Sequence, residues 1–514
     1  MNKYKTASQL LFTFSSYFIL WILLQPYLGY LLDSDCVAYL TIAERVAKGD
    51  YFRSINGLWS PLNSWMLAPF IQHGYDAWAS AKALNCFFGG AILVAFHHLL
   101  LRFEVSKKVY HINMSILPLI VVYFVYFQMF GDVLQLAFVL FYLLIIFSKS
   151  LLNIGKVIAC ALIMSIGYYA KAYSLFFFFV HFLVICFWLY KSKKINLQKA
   201  ILYYVTGVSV FLLCILPWTY ALHHKYKEWS LTGFAGKLNM SWNINSGKSF
   251  NPDITLLIPP TYPNSPSFWE DPYVTQSNLS SPTSSIAHFT KWIARVVYTT
   301  LESVTCMHEI SCFTLVALGI GLFYFFFYKK KSEEMDLQYQ LLILSILIVP
   351  MGYLMMHIET RYIWLITFLT MLLCARLLQT IKNTIWQGIA LGSIAISFLL
   401  FPIMQLKNLK YKNKDLFEMA QYIESKNIHG TFTSNATDAG RMWVIAYLTK
   451  NPFFTIEKHN YTQEELNLDI KKYHVAYYFF ISENNQANII MQDASMDKVA
   501  SMDDLDVFKI KDAK

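Results

Sequence analysis

This 514-residue chain carries little charge for its length. Only 14% of its residues are Asp, Glu, Lys or Arg, whereas soluble domains carry about 25%. It has no G-x-x-x-x-G-K-[ST] phosphate loop, no G-x-S-x-G nucleophile elbow and no H-E-x-x-H zinc motif. Its eight cysteines contain no CxxC pair, so we predict neither a cysteine metal site nor an essential disulfide. These absences argue against the soluble enzyme classes that such motifs define.

Long apolar runs take the place of the missing charge. The chain is 56% hydrophobic with a mean hydropathy of +0.40, and several runs exceed the roughly 18 residues that mark a bilayer-spanning helix. We therefore predict a multi-pass α-helical membrane protein with about eleven spans. The predicted spans are 8–32, 80–101, 112–130, 132–148, 152–170, 173–190, 200–222, 309–328, 337–356, 362–380 and 385–403.

The basic residues predict how these spans are oriented. The net charge of +10 lies in residues 1–404, because residues 405–514 carry a charge of −1. Lysines and arginines fall in every second short loop, as in 191–199, and this positive-inside pattern places those loops and the N-terminus in the cytoplasm. Loops 33–79 and 223–305 and the tail then lie on the opposite side. A charge distributed in this way argues against a nucleic-acid partner.

The chain divides by composition into a membrane domain, 1–404, and a tail, 405–514. In the tail, helical and strand patterns alternate three times between Asp415 and Ile481, which predicts a small soluble α/β domain. Loop 33–79 contains two apolar helical patterns that we interpret as helices on the membrane surface. The long loop 223–305 is rich in Pro, Ser, Asn and aromatic residues, and a loop of this length is typically functional.

Two acidic residues follow the first predicted span directly. Ionisable groups beside a membrane are costly and indicate a function by default, so Asp33 and Asp35 are candidates. Helix capping by Asp35 is the structural alternative. The pair also matches the D-x-D signature of transferases that use nucleotide sugars and metal, but nucleotide sugars are cytoplasmic. We predict no cofactor, although a divalent ion held by the two aspartates stays open.

The stretch that begins at Asp35, DCVAYLTIAERVAKGDYFRSINGLWSPLNSWMLAP, resembles the first extracytoplasmic loop of the GT-C superfamily. The likeness is to bacterial transferases that use polyprenyl-phosphate sugars and are related to protein O-mannosyltransferases and the lipid A aminoarabinose transferase. It lies in the aspartate after the first span, in Tyr39 four residues on, in Gly49-Asp50 and in Trp59-Ser60-Pro61. By this resemblance Asp35 is the catalytic aspartate, with Asp33 as the second candidate.

Later residues agree with the same resemblance. Asp132 and Lys171 lie in turns where the family often has an acid and a lysine, and the run His357–Tyr362 resembles a late E-x-R-Y motif. Glycosyl transfer needs a base for the acceptor proton and cations for the leaving phosphate. We therefore expect Lys171 and Arg361 to bind phosphate. We expect Glu359, Asp132, Tyr39 and His357 to shape the substrate site, with a Glu359–Arg361 ion pair as the structural alternative.

The resemblance implies a transferase that moves a hexosyl or pentosyl group from a polyprenyl-phosphate donor, with inversion, to a lipid, glycan or protein acceptor. The expected location is the bacterial cytoplasmic membrane, with membrane lipids as partners, and the site would face away from the cytoplasm. Loop 223–305 would cover the site, and the tail would orient the acceptor. Two alternatives stay open: a flippase of lipid-linked saccharides, for which inverted repeats are expected, and a polysaccharide polymerase or ligase.

Overall fold

The structure is a computed structural model, and it describes residues 3–127, 131–148, 150, 152–244, 256–275, 279–327, 333–456, 461–482 and 496–511. The described part is mostly helical. In the first half of the chain the helices are α1 (Lys3–Leu28), α2 (Ser34–Ala47), α3 (Tyr51–Ser54), α4 (Leu62–Gln72), α5 (Ala77–Arg102), α6 (Lys107–Phe127), α7 (Asp132–Ile146), α8 (Ile154–Ala170), α9 (Tyr173–Lys191), α10 (Leu197–Tyr226) and α11 (Ala235–Ile244).

In the second half, the described residues form ten further α-helices and six strands. The helices are α12 (Pro272–Thr275), α13 (Ile286–Ile310), α14 (Phe313–Phe327), α15 (Glu333–Ile348), α16 (Met351–Leu354), α17 (Leu365–Leu378), α18 (Thr384–Asn408), α19 (Lys414–Ser425), α20 (Ala439–Thr449) and α21 (Gln463–Tyr473). The strands are β1 (Leu257–Ile258), β2 (Phe432–Ser434), β3 (Thr455–Ile456), β4 (Tyr477–Ile481), β5 (Met496–Met502) and β6 (Leu505–Ile510).

The chain is a multi-pass membrane protein. Seven helices of the described residues are long and apolar enough to cross a bilayer, and the pair α13 and α14, bent by 107°, makes an eighth if it counts as one span. Helices α7, α8 and α17 are apolar but shorter. Each of the eleven predicted spans contains one of these helices, although 128–130 and 328 lie outside the described residues. Eleven crossings and a cytoplasmic N-terminus therefore stay predictions.

Helix α1 packs closely against α5, because Tyr17 of α1 lies over the backbone at Gly89 of α5. A Cβ built on Gly89 would lie 2.1 Å from the hydroxyl oxygen of Tyr17, so only glycine leaves room for that ring. The Tyr17 hydroxyl donates to the carbonyl of Cys86 at 2.9 Å, which satisfies a polar group buried among apolar side chains. The first predicted span lies at this position, but its helix ends at Leu28 rather than at residue 32.

The helices of the first loop differ in part from the predicted surface helices. Residues 36–43 of α2 are all buried, since α2 packs against α4 on one side and the tail helix α20 on another. It is therefore a core helix rather than one that lies on the membrane surface. Pro61 precedes α4 as its cap residue and is not in its first turn.

The tail contains a mixed four-stranded sheet in the order β2-β4-β6-β5. Strands β2 and β4 pair in parallel, and the other neighbours pair antiparallel. All three predicted helices and three predicted strands have counterparts, whereas β5 and β6 were not predicted. One hydrophobic core contains residues of α2, Trp59, Phe268 and the tail. The tail thus shares its core with the loops of the preceding part, and the division at residue 404 stays a prediction.

Candidate active site

Asp33 and Asp35 have different positions at the start of α2. The helix begins at Ser34, and Oδ1 of Asp33 accepts the backbone N–H of Cys36 at 2.7 Å. This is an N-cap, in which a side-chain oxygen satisfies one of the free amides of the first turn. The predicted alternative of capping by Asp35 is therefore wrong, because Asp33 has that role. Asp35 is in the first turn, where its side chain points to residues from other segments.

Asp35 lies between a cation and an indole. Its Oδ2 is 3.9 Å from Nη2 of Arg361, and its Oδ1 accepts the indole N–H of Trp269 at 3.4 Å. The side chain retains 28% exposure. Burial disfavours the charged carboxylate and, with the nearby charge of Asp33, raises the pKa of Asp35 to about 7, although Arg361 and Trp269 act in the opposite direction. A carboxyl with a pKa in this range is suited to accept a proton at neutral pH.

Arg361 lies on the short 3-10 helix Thr360–Ile363, and its partner Glu359 directly precedes that helix. Its Nε lies 2.7 Å from Oε2 of Glu359, so the ion pair considered from the sequence is present. His357 donates to Oε1 of Glu359 from Nε2 at 3.1 Å, and its Nδ1 accepts from Arg295 at 2.9 Å. An arginine only donates, which fixes the proton of a neutral His357 on Nε2. Burial alone would raise the pKa of Glu359, but His357 and Arg361 lower it to about 2.

Lys171 and Asp132 form an ion pair at the ends of two helices. Lys171 follows α8, Asp132 is the first residue of α7, and the ammonium of Lys171 donates to Oδ1 of Asp132. The same ammonium lies 3.9 Å from the centre of the Tyr362 ring, a cation–π contact. Tyr362 stacks on Tyr353 at 4.8 Å. Burial lowers the pKa of Lys171, and Asp132 only partly offsets that effect.

Tyr39 is near both Asp132 and Asp35. Burial and the charges of Asp132 and Asp35 raise the pKa of its hydroxyl, so it stays neutral. Its ring is 5.4 Å from that of Trp59, and its backbone carbonyl accepts from the hydroxyl of Ser64 at 2.9 Å. Tyr39 is therefore a wall of the site that is fixed from two sides.

A small pocket of about 30 Å³, partly open to solvent, lies beside this cluster. At one end it is lined by the polar side chains of Asp132, Gln135 and Arg361. Its other walls are apolar, and they include Leu136, Val139, Tyr173, Phe177, Val349, Tyr362, Trp364 and Leu365. The lining of the pocket therefore combines a charged end with apolar walls.

The eight residues predicted from the sequence thus lie in one region, and direct contacts join six of them in two sets. Asp35, Arg361, Glu359 and His357 form a chain of polar contacts. Lys171 with Asp132 forms the other set. The charge of Arg361 is close enough to lower the pKa of Lys171, and that of Asp132 raises the pKa of Arg361, which places the two sets side by side.

Two residues of the site were not predicted. Trp269 lies in the aromatic part of loop 223–305, and Arg295 lies on α13. The aromatic run was visible in the sequence, but nothing in the spacing indicates which ring folds back to Asp35. Among the described residues, no group of three or more His, Cys, Asp or Glu side chains is placed to hold a metal ion. The expectation about metal therefore stays a prediction.

The described architecture has counterparts among solved structures. No family model matches the chain, and no curated protein matches it. Its fold is similar to that of ArnT, and this likeness agrees with the resemblance predicted from the first loop.

The particular neighbour is ArnT from Cupriavidus metallidurans. Its crystal structure bound to undecaprenyl phosphate superposes with a TM-score of 0.58 and covers 97% of each chain at 11% identity. The apo structure of that ArnT gives a TM-score of 0.41 at 13% identity, over 97% of this chain and 99% of the other. At this identity the likeness is one of fold.

Proposed function

We propose that this protein is a glycosyltransferase that moves a sugar from a polyprenyl-phosphate donor to an acceptor. The observation that carries the proposal is the arrangement around Asp35. A carboxyl with a pKa of about 7 lies beside Arg361, and Arg361 itself lines a small pocket with apolar walls. A proton acceptor, a phosphate-binding cation and space for a lipid are the parts that such a transfer requires. The fold shared with ArnT supports the same class of reaction.

In the proposed reaction Asp35 accepts the proton of the acceptor hydroxyl or amine. The acceptor oxygen or nitrogen forms a bond to the anomeric carbon, and the bond from that carbon to the phosphate oxygen breaks. The electron pair of the broken bond stays on the polyprenyl phosphate. Attack from the side opposite the phosphate inverts the configuration at the anomeric carbon. The raised pKa of Asp35 favours this role, because a base is most effective when its pKa lies near the working pH.

The leaving phosphate is assigned to Arg361 and Lys171. Arginine offers a planar fork of donors and lysine a compact charge, and both suit phosphate oxygens. Both cations are paired with carboxylates in the structure, so a phosphate would share them with Glu359 and Asp132. This sharing keeps the site close to neutral when the donor is absent. The apolar side chains beside them, among them Leu136, Val139 and Phe177, would contact the first isoprenoid units.

We further propose that the reaction takes place on the extracytoplasmic face of a bacterial cytoplasmic membrane. The support is the positive-inside pattern, which assigns Asp35, Lys171 and Arg361 to the side opposite the lysine-rich loops. The acceptor is proposed as a lipid, glycan or protein of the cell envelope.

The test is sugar transfer from a radiolabelled polyprenyl-phosphate sugar pool by membranes that contain matched amounts of each protein. The variants are Asp35→Asn and Asp33→Asn, which remove one charge each without changing side-chain size. Asparagine is also a good N-cap residue, so Asp33→Asn keeps the helix start and serves as the matched control. We expect loss of transfer in Asp35→Asn and retained transfer in Asp33→Asn.

Other results would change the proposal in defined ways. If only Asp33→Asn is inactive, the reaction class stands and the base is Asp33. If wild-type membranes release no sugar from any donor in the pool but move the lipid-linked sugar across vesicles, the flippase alternative replaces the transferase.

A further inference from the structure

The indole of Trp269 contacts Asp35 from a segment distant in sequence. Trp269 is on the short 3-10 helix Phe268–Glu270, and its Nε1 donates to Oδ1 of Asp35 at 3.4 Å. The opposite oxygen, Oδ2, faces Arg361. The two partners therefore address different oxygens of one carboxyl group, and together they determine how that group is turned.

The backbone around Trp269 is fixed on both sides. The indole N–H of Trp59 donates to the carbonyl of Trp269 at 3.2 Å, and the side-chain amide of Asn56 donates to the carbonyl of Glu270 at 2.6 Å. The carboxylate of Glu270 is buried and paired with Arg45. These contacts tie the 3-10 helix to the first loop, so the indole has a defined place beside α2.

The ring of Trp269 is fixed by the tail. Trp443 of α20 stacks on it with ring centres 5.1 Å apart and planes inclined by 16°. Trp443 is itself buried, and its own N–H donates to Thr455 at 3.1 Å. It therefore has no hydrogen bond left for the site and acts on Asp35 only through the ring of Trp269.

We propose that Trp269 is a positioning residue for Asp35, and that the tail controls the orientation and ionisation of Asp35 through the stack of Trp443 on Trp269. The importance of this for catalysis rests on the proposed function, but the contact itself does not. It assigns the tail a role at the base that differs from the expected role of orienting an acceptor.

The physical basis is a hydrogen bond that is stronger to the charged form than to the neutral form. An indole N–H is a donor without an acceptor lone pair, so it stabilises the carboxylate more than the neutral acid. Loss of this donor must therefore raise the pKa of Asp35. Loss of the stack leaves the donor present but free to turn away, which gives a smaller effect in the same direction.

The experiment measures ionisation of Asp35 without any activity assay. Full-length protein in nanodiscs is treated with a carbodiimide and glycine methyl ester between pH 5 and 9, and the adduct at Asp35 is quantified by peptide mass spectrometry. Protonated carboxyls react, so the yield falls as the pH passes the pKa. The variants are Trp269→Phe, Trp269→Tyr, Trp443→Phe and Trp443→Ala. Trp386→Phe, at an exposed tryptophan of α18, is the control.

We expect the midpoint to move upward by roughly one pH unit in Trp269→Phe, the lower end of the usual size of one hydrogen bond to a charged group converted to a pKa shift, because the bond is long at 3.4 Å. Trp443→Ala should move it in the same direction by less. Trp443→Phe, which keeps a stacked ring, and Trp386→Phe should leave it unchanged. Trp269→Tyr keeps a large ring but not the indole N–H. If Trp269→Phe does not fold, Trp269→Tyr replaces it, and the same upward shift of the midpoint is expected.

An unchanged midpoint in both Trp269 variants overturns the proposal. An unchanged midpoint in Trp443→Ala removes the part that concerns the tail. Sugar transfer measured on the same proteins separates this inference from the proposed function. If the midpoint moves in the Trp269 variants and wild type transfers no sugar, the positioning role stands and the transferase proposal fails. If wild type transfers sugar and the midpoint does not move, the reverse holds.

Discussion

Asp33 and Asp35 are two residues apart at one helix end, but they have separate partners. Oδ1 of Asp33 accepts the amide of Cys36 at 2.7 Å, whereas Asp35 faces Arg361 and Trp269. The helical geometry requires this difference, because the cap residue turns back to the first amides while a first-turn residue points outward. Capping therefore accounts for Asp33 and leaves Asp35 available for chemistry.

The first prediction separates the cap from the charge of Asp33. We expect Asp33→Ala to lower the free energy of unfolding by about 1 kcal/mol, the usual effect of losing an N-cap, and Asp33→Asn to preserve it. Thermal denaturation in one detergent, followed by tryptophan fluorescence, measures the difference. Equal denaturation midpoints for the two variants would contradict the capping role.

The second prediction concerns the pH dependence of transfer. Because the pKa of Asp35 is raised to about 7 and the base must be charged, kcat/KM should rise with pH through about 7. Burial lowers the pKa of Lys171 from its ordinary 10.5. The value of kcat/KM should therefore fall again as the pH rises through this lowered pKa and Lys171 loses its charge. The profile of kcat/KM against pH with a fixed donor measures both limbs. Asp33→Asn removes a charge that raises the pKa of Asp35, so its acid limb should move to lower pH.

The third prediction uses the Lys171–Asp132 pair. Lys171→Met leaves the poorly exposed Asp132 without a cation, which should reduce stability by about 1–3 kcal/mol, and it should raise the KM for the donor. Adding Asp132→Asn should restore stability but not donor affinity, because the unpaired charge is removed while the phosphate ligand is still missing. Denaturation midpoints and KM values of the four proteins complete the cycle. A donor KM that returns to the wild-type value in the double variant would show that Lys171 has only a structural role.

The fourth prediction concerns Arg361. Its guanidinium contacts both oxygens of Glu359 and approaches Asp35, which the single ammonium of lysine cannot do. We expect Arg361→Lys to lower kcat/KM by roughly ten- to a hundredfold, the usual loss for a hydrogen bond to a charged group. Arg376→Lys, in the last turn of α17 beside Gln379, is the matched control and should retain activity. Similar kinetics for both variants would exclude a role of Arg361 in the site.

The apolar helices were predictable from the sequence because each is a continuous apolar run of sufficient length. Their ends were less so: Gly29, a typical residue just past a helix end, follows Leu28, but the apolar run continues to Leu32 and predicts a longer span. The last two strands were missed for a physical reason. β5, MDKVASM, is a polar edge strand with most of its side chains exposed, so it lacks the alternation of apolar and polar residues that predicts a strand.

The predicted site residues share one property, which is that they lie in or next to short turns that the topology brings together. Asp35, Lys171 and Arg361 could be placed on one side of the membrane from the loop charges alone. Trp269 and Arg295 could not, because their approach depends on the path of a long loop. Their contacts with Asp35 and His357 come from tertiary packing, and no local pattern in the sequence encodes them.

The stack of Trp443 on Trp269 has a consequence for the order in which the protein is made. Asp35 leaves the ribosome 408 residues before Trp443, which lies in the tail that completes its surroundings. The sheet and α20 pack into the same core as α2. Helix α2 therefore lacks this packing partner until the tail has been made. Closing such a long chain segment is entropically slow. A nascent chain would therefore insert its early helices in the membrane before the surroundings of Asp35 are complete.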